Sequence, residues 1–202
     1  MRSVGTFTGG FAKIESVNRT DRRQRGPIGT DNQRTFIVTM AAIIIGIATV
    51  DQASKAAVLH FLGDGQPLKL IGDWFRFRLL FNPGAAFSLG ENATWLFTCI
   101  QLIFVVGIAL YAPKIRDGWT AAALAMIAGG ALGNLIDRLF REPAFFVGHV
   151  VDFISVGDFA VFNVADSAIT CGVAVFFVAI LLESKREALS LQRNEDEVID
   201  NA

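Results

Sequence analysis

The sequence predicts an all-α membrane protein, with four transmembrane helices and a small β-rich platform on the outer face. Three observations carry that expectation. Of 202 residues, 52% are hydrophobic and 18% charged, with a mean hydropathy of +0.47, a balance too apolar for an ordinary soluble domain. Four windows, Phe36 to Leu62, Ala93 to Ala112, Trp119 to Phe140 and Phe159 to Leu182, reach the ~20 residues needed to cross a hydrocarbon core of roughly 30 Å. Between the first two, Trp74-Phe75-Arg76-Phe77-Arg78 alternates apolar and basic residues, the period of a half-buried strand.

Ahead of the first window, residues 1–35 carry seven Lys or Arg against three acids and show no apolar periodicity. They are read as a disordered basic tail. The segment lacks the h-region and cleavage site of a secretory signal, so the helix from Phe36 is expected to be retained. A nucleic-acid role is the competing reading of the tail, but a cytoplasmic extension that follows the charge rule is the simpler one. Residues 36–182 are expected to form the four-helix domain and 183–202 a charged C-terminal tail. Eleven Lys and Arg lie near the span ends on the side of the termini and the Pro113 to Gly118 loop, against four on the other side: Lys69, Arg76, Arg78 and Arg141. Both termini are therefore expected in the cytoplasm.

Within the spans, polar residues converge. Asp51 and Lys55 lie four apart near the end of the first window, as do Asn134 and Arg138, with Asp137, near the end of the third. Each such pair shares a helix face. Asp166, with Asn163 three residues before it, lies in the first half of the fourth window. Because successive helices reverse direction, all of these fall toward the outer leaflet and can meet in one pocket. Left unpaired, five intramembrane charges would cost on the order of 10 to 15 kcal/mol. A buried structural ion-pair network is the plain reading of Asp51, Lys55, Asp137 and Arg138. It suits Asp166 less well, since no basic residue lies within two turns on its own helix. The stripe Ala125, Gly129, Gly133 favours close helix approach and a central place for the third helix.

The outer segments supply further candidates. Asn82-Pro83-Gly84-Ala85-Ala86-Phe87 is a turn whose small residues permit close backbone approach. His149 to Ile154 is strand-like and carries Asp152, expected to face Asp166 at the mouth of the bundle, while Asp158 is better placed to cap a helix starting at Phe159. Two carboxylates about 4 Å apart repel by roughly 4 kcal/mol at an effective dielectric near 20, so such a pair holds one proton between its members near neutral pH. The ionised member can take a proton from a water attacking a peptide carbonyl while the protonated member polarises that carbonyl. Neither a metal nor a cofactor is expected, because Cys99, Cys171, His60 and His149 match no ligand spacing. A proton-coupled transporter is a rival class, although its acids should be spread through the membrane depth. A scaffold whose polar cluster merely joins helices is another. Gly-x-Ser-x-Gly is absent, and a Ser-Lys dyad of Ser54 or Ser88 with Lys55 stays formally open.

Five blocks in order, Asp51-Gln52-Ala53-Ser54-Lys55, Asn82 to Phe87, Gly133-Asn134-Leu135-Ile136-Asp137-Arg138, Val151-Asp152-Phe153 and Phe162-Asn163-Val164-Ala165-Asp166, resemble the motif blocks of the lipoprotein signal peptidases, the type II signal peptidases. The resemblance covers Phe36 to about Leu182. It implies a bacterial inner-membrane aspartic endopeptidase that removes signal peptides from lipid-modified prolipoproteins before the diacylglyceryl cysteine, without metal or cofactor, and is blocked by globomycin-type inhibitors. It also implies a periplasmic site and platform and contact with membrane lipids; no nucleic-acid partner is expected, and the chain is expected to be a monomer. By position, Asp152 and Asp166 would be the catalytic dyad. Asn82, Gly84, Asn134, Arg138, Asn163 and Ala165 would line the pocket, and Asp51, Lys55 and Asp137 would organise it. The chain departs from the family in its N-terminal tail, which is longer than usual and is accounted for by a regulatory segment or by an upstream start codon.

Overall fold

The structure, a computed structural model, describes residues 30–84 and 94–200, with side chains for 33–84 and 94–193. Most of the basic tail, the Ala85-Ala86-Phe87 part of the second block and Ser88 lie outside the described residues. The chain divides into two compact units, Met1–Thr35 and Phe36–Ala202. Its helices are α1 (Thr30–Phe61), α2 (Thr94–Tyr111), which runs into a 3-10 turn at Ala112–Lys114, α3 (Gly118–Phe140) and α4 (Val164–Asp200). All four are long and apolar enough to cross a membrane. Three strands, β1 (Leu68–Ile71), β2 (Phe75–Asn82) and β3 (Val150–Val156), form an antiparallel sheet in the order β1-β2-β3.

The small-residue stripe makes α3 the centre of the bundle. In its span 56% of the window is buried, against 17%, 11% and 22% in α1, α2 and α4. A Cβ on Gly129 would stand 3.0 Å from Ile47 Cβ and 3.2 Å from Ile44 Cα, and one on Gly130 would run into the Ala165 carbonyl. Only hydrogen at these positions lets α1 and α4 approach so closely. Asp117 starts the helix by accepting a hydrogen bond from Thr120 N–H at 2.8 Å, an N-cap. Toward this end Met40, Ile108, Ile115, Ala121, Ala125 and Ala128 form a buried apolar cluster.

At the other end the sheet closes over the helices. Val150, Val151, Asp152 and Phe153 on β3 are buried, whereas every residue of β1 is exposed. Phe153 packs with Val58 and Leu62 and so ties the sheet to the end of α1. Leu80 pairs with Asp152 and Asn82 with Val150, after a register shift between Phe77 and Leu80. The expected alternation is not kept: Phe75, Arg76 and Phe77, ahead of the shift, are all half-buried.

Three helix limits differ from the sequence expectation. Helix α1 begins in the polar segment ahead of Phe36. Helix α4 begins at Val164 rather than Phe159, because Phe162 bridges to Ile154 and holds the intervening chain against β3. It then continues to Asp200, through residues whose charge favours a tail. Asp166 is consequently in the first turn of α4, not two turns inside it, and Asp158 does not cap the helix.

Candidate active site

Asn163 performs the capping, and in doing so fixes Asp166. Its Oδ1 accepts from Asp166 N–H at 2.9 Å, while Asp166 Oδ2 accepts from Asn163 N–H at 3.2 Å. This reciprocal pair is a capping box with Asn and Asp in place of the usual Ser or Thr and Glu. Asp166 Oδ1 accepts from Asn134 Nδ2 at 2.8 Å. The Asn163 side chain reaches across to β3, where its Nδ2 donates to Asp152 Oδ1 at 2.7 Å. Both carboxylates therefore bond to one residue, the side-chain amide holding Asp152 and the backbone N–H holding Asp166.

Asp152 is 1% exposed, and its second oxygen accepts from Asn82 Nδ2 at 2.8 Å. Burial pushes its carboxyl up from the ordinary 3.8 to about 6, against the Asn82 hydrogen bond and with the added repulsion of Asp166. Asn82 is itself set by the turn that follows it: its Oδ1 accepts from Gly84 N–H at 2.8 Å, an Asx-type arrangement. Gly84 has φ +103° with the Phe97 ring directly against it, so a side chain there would be strained and would clash.

Behind the two carboxylates lies an ionic network. Lys55 Nζ contacts Asp51 Oδ2 at 2.7 Å, Asp137 Oδ2 at 2.8 Å and Asn134 Oδ1 at 2.8 Å, and Lys55, Asp51 and Asp137 have no exposed surface. Two carboxylates on one ammonium leave a negative charge, which Arg141 offsets with its Nε 2.6 Å from Asp137 Oδ1. Gln52 Nε2 donates to Asp137 Oδ1 and to the Gly133 carbonyl, both at 2.9 Å. The network also grips backbone: Asp51 Oδ1 accepts from Ala165 N–H at 2.9 Å and Asp137 Oδ2 from Val151 N–H at 3.1 Å. Ala165 and Val151 immediately precede Asp166 and Asp152. Each anchor thus holds the chain one residue before one of the two carboxylates.

The expected residues are brought together, with one exception in how they pair. Arg138 is not bonded to Asn134. It donates to the Gly148 carbonyl at 3.3 Å and lies over the Phe97 ring at 5.6 Å, and its Nε has no partner among the described residues. A Ser54 and Lys55 dyad is disfavoured, since Ser54 Oγ donates to the Asp51 carbonyl and the three protons of Lys55 are committed. Gln52 and Arg141 were not among the expected site residues. Arg141 had a legible signal, lying four residues after Asp137, whereas Gln52 becomes visible only once α1 and α3 are packed.

Comparison with known proteins agrees with this geometry. Residues 43–182 match the family described as Signal peptidase (SPase) II. A lipoprotein signal peptidase of Rhodococcus jostii (strain RHA1) is 40% identical over 169 residues, which is 80% of this chain and 84% of that one. Another, from Streptomyces griseus, is 46% identical over 168 residues, 83% of this chain and 81% of the relative. Among solved structures, a bacterial membrane enzyme superposes with a TM-score of 0.64 at 28% identity, covering 75% of this chain and 92% of the other. The match extends through all four spans and at this identity leaves one assignment: the chain belongs to the signal peptidase II family.

Proposed function

We propose that the protein is an aspartic endopeptidase that removes signal peptides from diacylglyceryl-modified prolipoproteins, cleaving on the amino side of the lipid-bearing cysteine. Asp152 and Asp166 are its catalytic dyad. The observation that carries this reading is the Asn163 bridge, which holds one buried and one half-buried carboxylate to a single residue and leaves each oxygen with further acceptor capacity. The ionised member takes a proton from water as that water attacks the scissile carbonyl. The protonated member hydrogen-bonds the carbonyl oxygen and then delivers its proton to the leaving nitrogen, so the pair ends with the one proton it started with. Asn82, Asn134 and Asn163 orient the carboxylates, and Gly84 shapes the turn that presents Asn82. Lys55, Asp51 and Asp137 act through the backbone of Ala165 and Val151, as positioning residues. Arg138, buried with an unpartnered Nε, is the group available to a substrate carbonyl.

On this reading the chain lies in the bacterial inner membrane as a monomer, both termini cytoplasmic, with the dyad near the periplasmic face. The excess of Lys and Arg at the opposite end supports that orientation. The test is incubation of the purified protein in detergent with a lipidated prolipoprotein, followed by mass analysis of the products. A single cut directly before the modified cysteine is expected, insensitive to chelators and serine reagents and inhibited by globomycin. A cut elsewhere, or loss of turnover in chelator, contradicts the proposal.

A further inference from the structure

A cavity lies at the end of the bundle away from Asp152 and Asp166. It is a cleft of about 550 Å³ among α2, α3, α4 and the Ala112–Lys114 turn. Its three walls change character together. From Gly107 to Lys114, from Leu124 back to Asp117 and from Phe176 to Glu183, each wall passes from apolar to charged in seven residues, about 10 Å of helical rise. That layering is the profile of a phospholipid, with acyl chain below and phosphate above.

Charge narrows the headgroup. Lys114 and Arg116 line the mouth, and Arg186 lines an adjoining recess with Trp119, Asp117 and Glu183. None of these three cations takes part in the ion pairs formed among the described residues. Asp117 is committed to capping α3. Three cations against two carboxylates leave one positive charge, which a phosphodiester balances. The apolar part is open as well: a Cβ on Gly107 would find nothing within 4 Å.

We propose that this cleft binds one anionic glycerophospholipid, its phosphodiester against Lys114 and Arg116 and an acyl chain along Gly107, Leu124 and Phe176. Ile180 in the cleft is fourteen residues from Asp166 along α4, about 20 Å of rise. The lipid is therefore a resident partner of the bundle, distinct from any group processed at the dyad, and the inference does not depend on the catalytic reading.

The experiment supplies purified protein in detergent with phosphatidylglycerol, phosphatidylethanolamine and diacylglycerol of identical chains in equal amounts, and counts retained lipid by native mass spectrometry. One phosphatidylglycerol is expected to be held, favoured by about fivefold for each basic contact. Lys114→Glu combined with Arg116→Glu should abolish the preference. Gly107→Leu, which enters open space on an exposed face, should lower retention of all three lipids with the charges intact. Unchanged melting temperatures report that the variants are folded. Equal retention of the three lipids by the unaltered protein, a preference that survives the double substitution, or full retention by Gly107→Leu overturns the proposal.

Discussion

Asp152 carries an electrostatic penalty. Its carboxyl titrates near 6 because burial disfavours the charged form. A group raised in the folded state adds stability below its unfolded value, near 3.8, and that contribution is lost as pH climbs through about 6. Asp152→Asn sets an N–H against one of the two amide donors that Asp152 accepts, but it cannot ionise, so its stability relative to the unaltered protein is expected to be greater at pH 7 than at pH 4, by up to about 3 kcal/mol. Thermal melts in detergent across that range check the sign, and a relative stability that rises toward acid contradicts it. Lys55 shows the complementary case. An ammonium this deep is tolerated because all of its protons meet oxygen, as buried charges require.

Among the elements, α3 decides whether the site can form. Gly133 faces Asp51, and a Cβ there would stand 2.6 Å from Asp51 Oδ2. Gly133→Ala is expected to push Asp51 off Lys55 and Ala165, lowering cleavage at least about tenfold and destabilising the bundle by about 1 to 3 kcal/mol. Gly46→Ala on α1 meets nothing within 4 Å and serves as the silent comparison. Equal behaviour of the two variants in melts and cleavage would remove Gly133 from the account. The central place of α3 was legible from Ala125, Gly129 and Gly133, because small residues at helical spacing have few other uses in an apolar span. The start of α4 was not. Apolar residues run from Phe159 to Phe162 and resume at Val164 with one polar residue, Asn163, between them, and the pairing of Phe162 with Ile154 and the Asn163 cap end the loop there. Likewise, the sequence predicts a strand at Trp74 to Phe81 from its alternation, but neither the register shift between Phe77 and Leu80 nor the shared half-burial of Phe75, Arg76 and Phe77.

At the scale of the whole molecule, the polar and apolar ends of the bundle are separated. Polar groups gather where α1 and α3 end and α4 begins, whereas the opposite half is filled by the cluster around Met40, Ile108 and Ala121. Convergence of Asp51, Asn134, Asp137 and Asp166 was readable from helix direction alone. The Asn163 bridge was not, since it depends on α4 starting at Val164. The most direct measurement is cleavage of one lipidated prolipoprotein by the unaltered protein, Asp152→Asn and Asp166→Asn, with melting temperature recorded alongside. Both variants should stay folded and lose at least about a hundredfold in turnover. Undiminished turnover in either one would contradict a dyad that shares a proton.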